Sequence, residues 1–434
     1  MAVQSLLIMI LVLALLLIFG VPIAISLAFS AMAAILPTLA GDITLVTAAQ
    51  RIFSGTSTFS LLAIPFFVLA GNIMNQGGIA RRLVRFVEAL VGRVPGSLLL
   101  TNIGANALFG AISGSAAASA AAVGGMVREG QEEAGYDRAL SAATNGSSAP
   151  SGLLIPPSNA LITYSLVSGG TSVAALFMAG YLPGLLWTFM CMTVGIIFAR
   201  KYNYTGTGQA FSWKHLGLTF LDALLPLSLI IVVIGGIVIG VFTATEGSAI
   251  AVVYALFISM VVYRAMSFKD LVNVLVDSAE TSGMVVFLIG VSNILSWVMA
   301  FTGIPQAIAE ALLSVTESPL MIMLIINVIL LIAGTFMDVT PAILIFTPIF
   351  LPIVTSFGIS PIHFGIILVY NLCIGNVTPP VGNTLLVAIR VGDSSLADVM
   401  PYMFGYYGGI LLGLLLVTYI PMISLWLPGL MGLI

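Results

Sequence analysis

Charge is what this 434-residue chain has least of: Asp, Glu, Lys and Arg together make up 7% of it. Soluble domains carry about 25%, so a shell facing water all round is excluded. The two cysteines, Cys191 and Cys373, lie far apart in apolar runs, which excludes a disulfide framework or a CxxC metal site. The two histidines, His215 and His363, flank apolar stretches away from clustered carboxylates and read as interfacial polar residues. No GxxxxGK(S/T) is present to hold ATP, and no HExxH or GxSxG to serve a hydrolase. The thirteen Lys and Arg residues are too dispersed to bind nucleic acid. Neither an enzyme nor a nucleic-acid binder is expected.

What is present is apolar surface: 60% of residues are hydrophobic and the mean hydropathy is +1.19. Runs such as Leu6–Gly20, Leu218–Val241 and Ile322–Ile332 carry no charge except Asp222, which indicates helical spans and an all-α polytopic membrane protein. Spans are expected near 5–20 (a retained first span rather than a cleaved leader), 22–40, 59–76, 138–166, 172–199, 219–241, 247–264, 278–302, 362–390 and 403–431. Two further apolar stretches, 96–127 and 318–357, are each about two crossings long. If each enters and returns on one side as a re-entrant hairpin, every basic residue except Arg51 falls on a single face, which the positive-inside rule makes cytoplasmic. Both termini then lie outside, and the two hairpins open to opposite sides.

Two apolar segments carry helix breakers. Gly152-Leu-Leu-Ile-Pro-Pro-Ser-Asn159 and Gly375-Asn-Val-Thr-Pro-Pro-Val-Gly382 place their Pro-Pro pairs in register. Met74-Asn-Gln-Gly-Gly-Ile-Ala80 matches Met299-Ala-Phe-Thr-Gly-Ile-Pro305, and Gly110-Ala-Ile-Ser-Gly-Ser-Ala116 matches Gly334-Thr-Phe-Met-Asp-Val-Thr340. Amphipathic arms, 80–91 and 305–315, follow the first of these pairs. The ordered set of span, arm, hairpin and broken helix, repeated through an odd number of crossings, predicts inverted repeats. Duplicated broken helices around a midplane site are a transporter plan.

Asp338 is the one acidic residue well inside an apolar stretch. A carboxylate there costs several kcal/mol unless it faces a cavity or a partner, and no basic residue shares its stretch. A bound cation is the simplest compensation; capping the second hairpin helix is the structural one. Na⁺ needs hard oxygen donors, which the turns Ser113-Gly114-Ser115 and Asp338-Val339-Thr340 and the breaks near Asn145, Ser147, Asn376 and Thr378 could supply. Free N–H groups at the half-helix starts would suit an anionic solute. Ser113–Gly125 is almost entirely small, which close helix packing alone would also explain. Arg81, Arg82 and Arg85 read as orienting charges on the first arm.

The segments SGSAAASAAAVGG, SSAPSGLLIPPSNALITY, GTFMDVTPAILIFTPIFLPI and GNVTPPVGNTLLVA resemble the large membrane subunit of tripartite ATP-independent periplasmic (TRAP) transporters, and the resemblance covers essentially the whole chain. It implies an elevator-type, Na⁺-coupled importer of the ion-transporter superfamily in the bacterial inner membrane. The solute would be a carboxylated one of the sialic acid or C4-dicarboxylate class. It implies as partners a small four-helix membrane subunit on a separate chain, a soluble periplasmic binding protein, and the surrounding membrane lipid. The single membrane unit 1–434 would divide into scaffold (about 1–95, 172–277 and 403–434) and transport-domain elements (about 96–170 and 318–392). Carried over by motif, one ion site would use Ser113, Gly114, Asn145 and Ser147, and the other Asp338, Thr340, Gly375, Asn376 and Thr378. The solute would touch Ser115, Ser119 and Asp338. A stand-alone Na⁺-coupled carboxylate symporter or ion antiporter of similar architecture is the alternative.

Overall fold

The computed structural model describes residues 2–205 and 212–434, and all regular structure among them is helical. Lipid offers a backbone no hydrogen-bond partner, so a chain this apolar closes its bonds within helices. In order these are α1 (Ala2–Ile18), α2 (Ile23–Ile35), α3 (Gly41–Thr56), α4 (Ala63–Gln76), α5 (Ile79–Val91), α6 (Ser97–Ser113), α7 (Ala116–Glu133), α8 (Arg138–Ser148), α9 (Ser151–Leu154) and α10 (Asn159–Val167). They continue as α11 (Val173–Lys201), α12 (Trp213–Val238), α13 (Ala244–Leu256), α14 (Phe268–Thr302), α15 (Ile304–Val315), α16 (Pro319–Gly334), α17 (Val339–Ser356), α18 (Pro361–Gly375), α19 (Asn383–Val391), α20 (Leu396–Tyr419) and α21 (Met422–Leu430). A 3₁₀ turn, Phe59–Leu62, leads into α4, and α13 runs on into a π-helical stretch, Phe257–Val262. Among the described residues, seven helical stretches are long and apolar enough to cross a membrane. The chain is a multi-pass membrane protein.

Several boundaries depart from expectation. The span near 22–40 stops at Ile35 because Pro37 has no N–H to continue the helix. The chain then enters α3, a helix not expected as a span because Asp42, Gln50 and Arg51 dilute its apolar content. It packs on α14, where a methyl group at Gly290 would lie 2.7 Å from Thr56. The expected 278–302 span is the last part of α14, 35 residues long, or about 52 Å. Its start is set by a capping box of Ser267 and Asp270. The expected 403–431 span divides between α20 and α21, because Ile420, preceding Pro421, leaves helical geometry (φ −119, ψ 84). This division buries His363 within the protein: its Nδ1 lies 2.6 Å from Ser424 Oγ at the start of α21.

Helices α2, α3 and α4 pack on α14, α4 also on α13, and α12 on the amphipathic α5. Arg82 ties that last pair. Its Nε donates to Asp222 Oδ1 at 3.0 Å, and its guanidinium carbon lies 3.4 Å from the Tyr263 ring centroid. Replacing Arg82 by alanine should cost about 1–2 kcal/mol, a half-exposed ion pair plus a cation–π contact. The midpoint of thermal unfolding in detergent would show it, and Tyr263→Leu should reproduce the stacking part together with the loss of the hydrogen bond that the Tyr263 hydroxyl donates to the Asp222 carbonyl at 3.0 Å.

Around the broken helices the packing is tighter. Trp187 of α11 donates from Nε1 to the Ser147 carbonyl at 2.9 Å, and Tyr406 of α20 bonds Thr144 Oγ1 at 2.7 Å. Both aromatic residues are fully buried. Helices α11 and α20, which fall in ranges expected with the scaffold, therefore pack on α8. A buried ring with one polar tip is held wherever that tip finds a carbonyl or hydroxyl.

The basic segments gather at one end of the molecule. Arg128 and Arg138 each reach Asp393 Oδ2 at 3.4 Å, and Tyr136 stacks on Tyr204 with centroids 4.2 Å apart, beside Arg200 and Lys201. Gly96 packs on Ala199, and Gly78 lies beside Ala265. Arg51 sits elsewhere, over the ring of Trp297 at 5.5 Å.

Candidate functional site

The first hairpin reverses at Gly114, whose φ of +61 suits a residue without Cβ. Its N–H closes α6 on the Gly110 carbonyl at 2.8 Å, and Ser115 opens α7 by accepting from the Ala118 N–H at 3.3 Å. The arms run antiparallel: Ser119 donates to Asn106 Oδ1 at 2.8 Å near the tip, and Gln131 to the Leu98 carbonyl at 3.2 Å far from it. The second turn, 335–338, ends at Asp338, which caps α17 by accepting from the Val339 N–H at 2.9 Å.

Each broken helix is pinned to a hairpin through glycine. A methyl group at Gly152 would fall 2.2 Å from Gly110 Cα, and one at Gly375 would fall 2.4 Å from the Gly334 carbonyl carbon. The residues that align between the two halves thus make the same backbone-to-backbone contact. Asparagines reinforce it. Asn106 donates to Asn145 Oδ1 at 3.0 Å and Ser148 Oγ at 2.9 Å, while Asn371 donates to Asn327 Oδ1 at 2.9 Å. Both Pro-Pro bonds, Pro156–Pro157 and Pro379–Pro380, are cis. After the breaks, Ser158 caps α10, bonding Leu153 O and accepting from Leu161 N–H. The second break is fastened to the second hairpin, Val381 N–H donating to the Thr335 carbonyl at 3.1 Å.

These constraints bring both hairpin tips to one cavity of about 610 Å³. Ser113, Gly114 and Ser115 line it from one hairpin, Asp338 and Thr340 from the other, and Asn376 from the second break. Helices α4 and α14 supply the facing wall through Asn72 and Thr281. Asp338 is exposed to this space and has no ion-pair partner among the described residues. It both caps α17 and faces the cavity, so the two readings of this residue do not compete.

Other expected site residues lie behind the wall. Asn145 donates to the Ala120 carbonyl at 2.8 Å and Ser119 is spent on Asn106. Ser147 donates to the Thr144 carbonyl at 3.2 Å, with its own carbonyl taken by Trp187. Gly375 packs on Gly334, and Thr378 donates to the Ile374 carbonyl at 2.7 Å. Sequence reasoning missed Asn159, Asn383 and Arg390, all lining the cavity. The first two directly follow the breaks, which could have marked them. Two buried oxygens beside the breaks, Asn159 Oδ1 and Thr384 Oγ1, have no hydrogen-bond partner among the described residues. Among the described residues no cluster of His, Cys, Asp and Glu could hold a transition metal. The donor set is one of carbonyl, amide and hydroxyl oxygens with one carboxylate, suited to a hard cation.

Residues 10–423 match the family described as "Tripartite ATP-independent periplasmic transporter, DctM component". An uncharacterized protein, YgiK, of Salmonella typhimurium is 51% identical over 95% of this chain and 94% of its own length. The C4-dicarboxylate TRAP transporter large permease protein DctM of Rhodobacter capsulatus is 37% identical over 95% of this chain and 96% of its own. The crystal structure of the Alcanivorax borkumensis YdaH transporter superposes with a TM-score of 0.61 at 16% identity, covering 87% of this chain and 88% of that one. That last likeness is one of fold.

Proposed function

Because the chain belongs to the DctM-component family of TRAP transporters, and is therefore an inner-membrane transporter subunit rather than an enzyme, we propose that it imports a carboxylated solute by coupling to Na⁺. The observation that carries this reading is the convergence of two hairpin tips and the second helix break on one cavity with a carboxylate that no basic side chain neutralises. A cation taken from solution neutralises Asp338 there. Asn159 Oδ1 and Thr384 Oγ1, buried without partners, support oxygen ligation near each break, since an unmade hydrogen bond costs about 1–3 kcal/mol. Na⁺ is cargo in this scheme, entering and leaving with the solute. The expected second set, Ser113, Gly114, Asn145 and Ser147, would contribute through carbonyls and through the amide that positions them.

The packing supports an elevator division. Hairpins, broken helices, α11, α20 and α21 would form the moving body, held together by Trp187, Tyr406 and the glycine contacts. Helices α1–α5 and α12–α15 would form the frame, with α4 and α14 as the wall along which the cavity travels. The basic end is the cytoplasmic one by charge, and Arg390, which lines the cavity, lies three residues before Asp393 of that end.

The scheme needs a small membrane subunit and a periplasmic binding protein that delivers the solute. Proteoliposomes holding this chain with its small subunit should accumulate solute under an inward Na⁺ gradient only when the binding protein is added. Equal uptake without it would replace this reading by a stand-alone symporter. Uptake independent of Na⁺ would remove the coupling.

A further inference from the structure

Arg390 counts by sequence among the charges that orient the protein in the membrane, but the fold gives it another position. On α19, Asn383, Leu386, Val387 and Arg390 line the cavity. Leu385, Ala388 and Ile389 are buried behind them, with Leu385 and Ala388 against Gly146 of the first broken helix. Positions i, i+3, i+4 and i+7 share one helix face, so packing the apolar face obliges Arg390 to point into the solute space. It lies two helical turns past Asn383, about 10 Å further from the break along the axis. Among the described residues it is the only basic one lining the cavity, and its guanidinium has no hydrogen-bond or ion-pair partner.

We propose that Arg390 is the specificity-determining residue for the solute's charge: its guanidinium receives a carboxylate, while the polar body of the solute lies on the side of the hairpin tips, along Asn383 and Asn159. This rests on the import reading above and assigns the anionic end of that same site. The planar fork of arginine matches the two oxygens of a carboxylate. With Asp338 occupied by a cation, Arg390 leaves the cavity net positive, which favours an anion and disfavours its neutral ester. A purely structural role, complementing the C-terminal dipole of α19, makes no such distinction.

The test uses Arg390→Gln and Arg390→Lys in two measurements. Initial uptake by the complete complex in proteoliposomes is followed against concentration for a C4-dicarboxylate and for sialic acid. Thermal stabilisation of the purified chain in detergent is measured with the same acids and their methyl esters, in Na⁺. For the Gln variant KM should rise about ten- to hundredfold with kcat near wild type, and the acid-over-ester preference in the thermal shift should vanish. The Lys variant should keep the preference with a KM raised only a few-fold. An unchanged KM and an unchanged preference in the Gln variant overturn the assignment. Acid-dependent stabilisation without uptake in the wild type overturns the import reading alone, and Arg390 is then decided by the thermal shifts. No acid-dependent stabilisation and no uptake in the wild type overturn both.

Discussion

Replacing Asp338 by asparagine is expected to leave the protein folded and to reduce Na⁺-driven uptake by at least about a hundredfold. The asparagine Oδ1 can still accept the Val339 N–H that the aspartate accepts at 2.9 Å, and Asn is as good an N-cap as Asp. What it removes is the negative charge. A partly desolvated charge deprived of its partner costs about 3–5 kcal/mol, which is about two to three and a half decades in the affinity for the cation. Initial rates against Na⁺ concentration, with wild type and variant reconstituted equally, report the effect. Asp338→Ala should add a loss of thermal stability from the missing cap, about 1 kcal/mol, without a further loss of Na⁺ response. If the asparagine variant keeps the wild-type Na⁺ dependence, Asp338 is a cap and nothing more.

The second large effect concerns folding. Gly152→Ala and Gly375→Ala should each cost about 3 kcal/mol or more, enough to leave little monodisperse protein after extraction. Their added methyls would lie 2.2 Å from Gly110 Cα and 2.4 Å from the Gly334 carbonyl carbon, and backbone cannot swing aside as a side chain can. Small residues at such crossings are what let membrane helices approach. Gly125→Ala on α7 is the control, with nothing within 4 Å of the new methyl and a gain in helix propensity of up to about 1 kcal/mol. Yields and melting midpoints for the three variants separate close packing from a general sensitivity to substitution. A wild-type melting midpoint for Gly375→Ala would overturn the proposed contact.

Much of this arrangement was legible in the chain because it depends on local chemistry. The Pro-Pro breaks remove backbone donors, Gly114 permits a reversal, and Asp338 is conspicuous against an uncharged background. The alignment of Gly110 with Gly334 and Gly152 with Gly375 found the residues that touch, though not that they touch one another. Failures came where local signals are weak or ambiguous. Helix α3 was hidden by its polar residues, and α14 ran ten residues beyond its expected start because a cap outside the apolar window begins it. At Ser119 and Asn145 the signal is ambiguous, because small polar residues near a turn suit either a ligand or a buried network. Asn106, four residues from Gly110, takes both side chains into hydrogen bonds, a contact the spacing did not announce.

The sequence by itself determined the solvent, the helical class, the places where helices must break and which carboxylate stands isolated in an apolar stretch. Each follows from hydropathy or from a backbone group that proline and glycine alter in place. Which faces of α7 and α19 look into the cavity was decided only by tertiary packing. Asn383 and Arg390 share one face of the nine-residue α19, but its own pattern does not say whether that face meets water at the membrane surface or a cavity inside the protein. The contact of Leu385 and Ala388 with the first broken helix makes that choice, and with it turns Arg390 from one more basic residue near the membrane surface into a wall of the solute cavity.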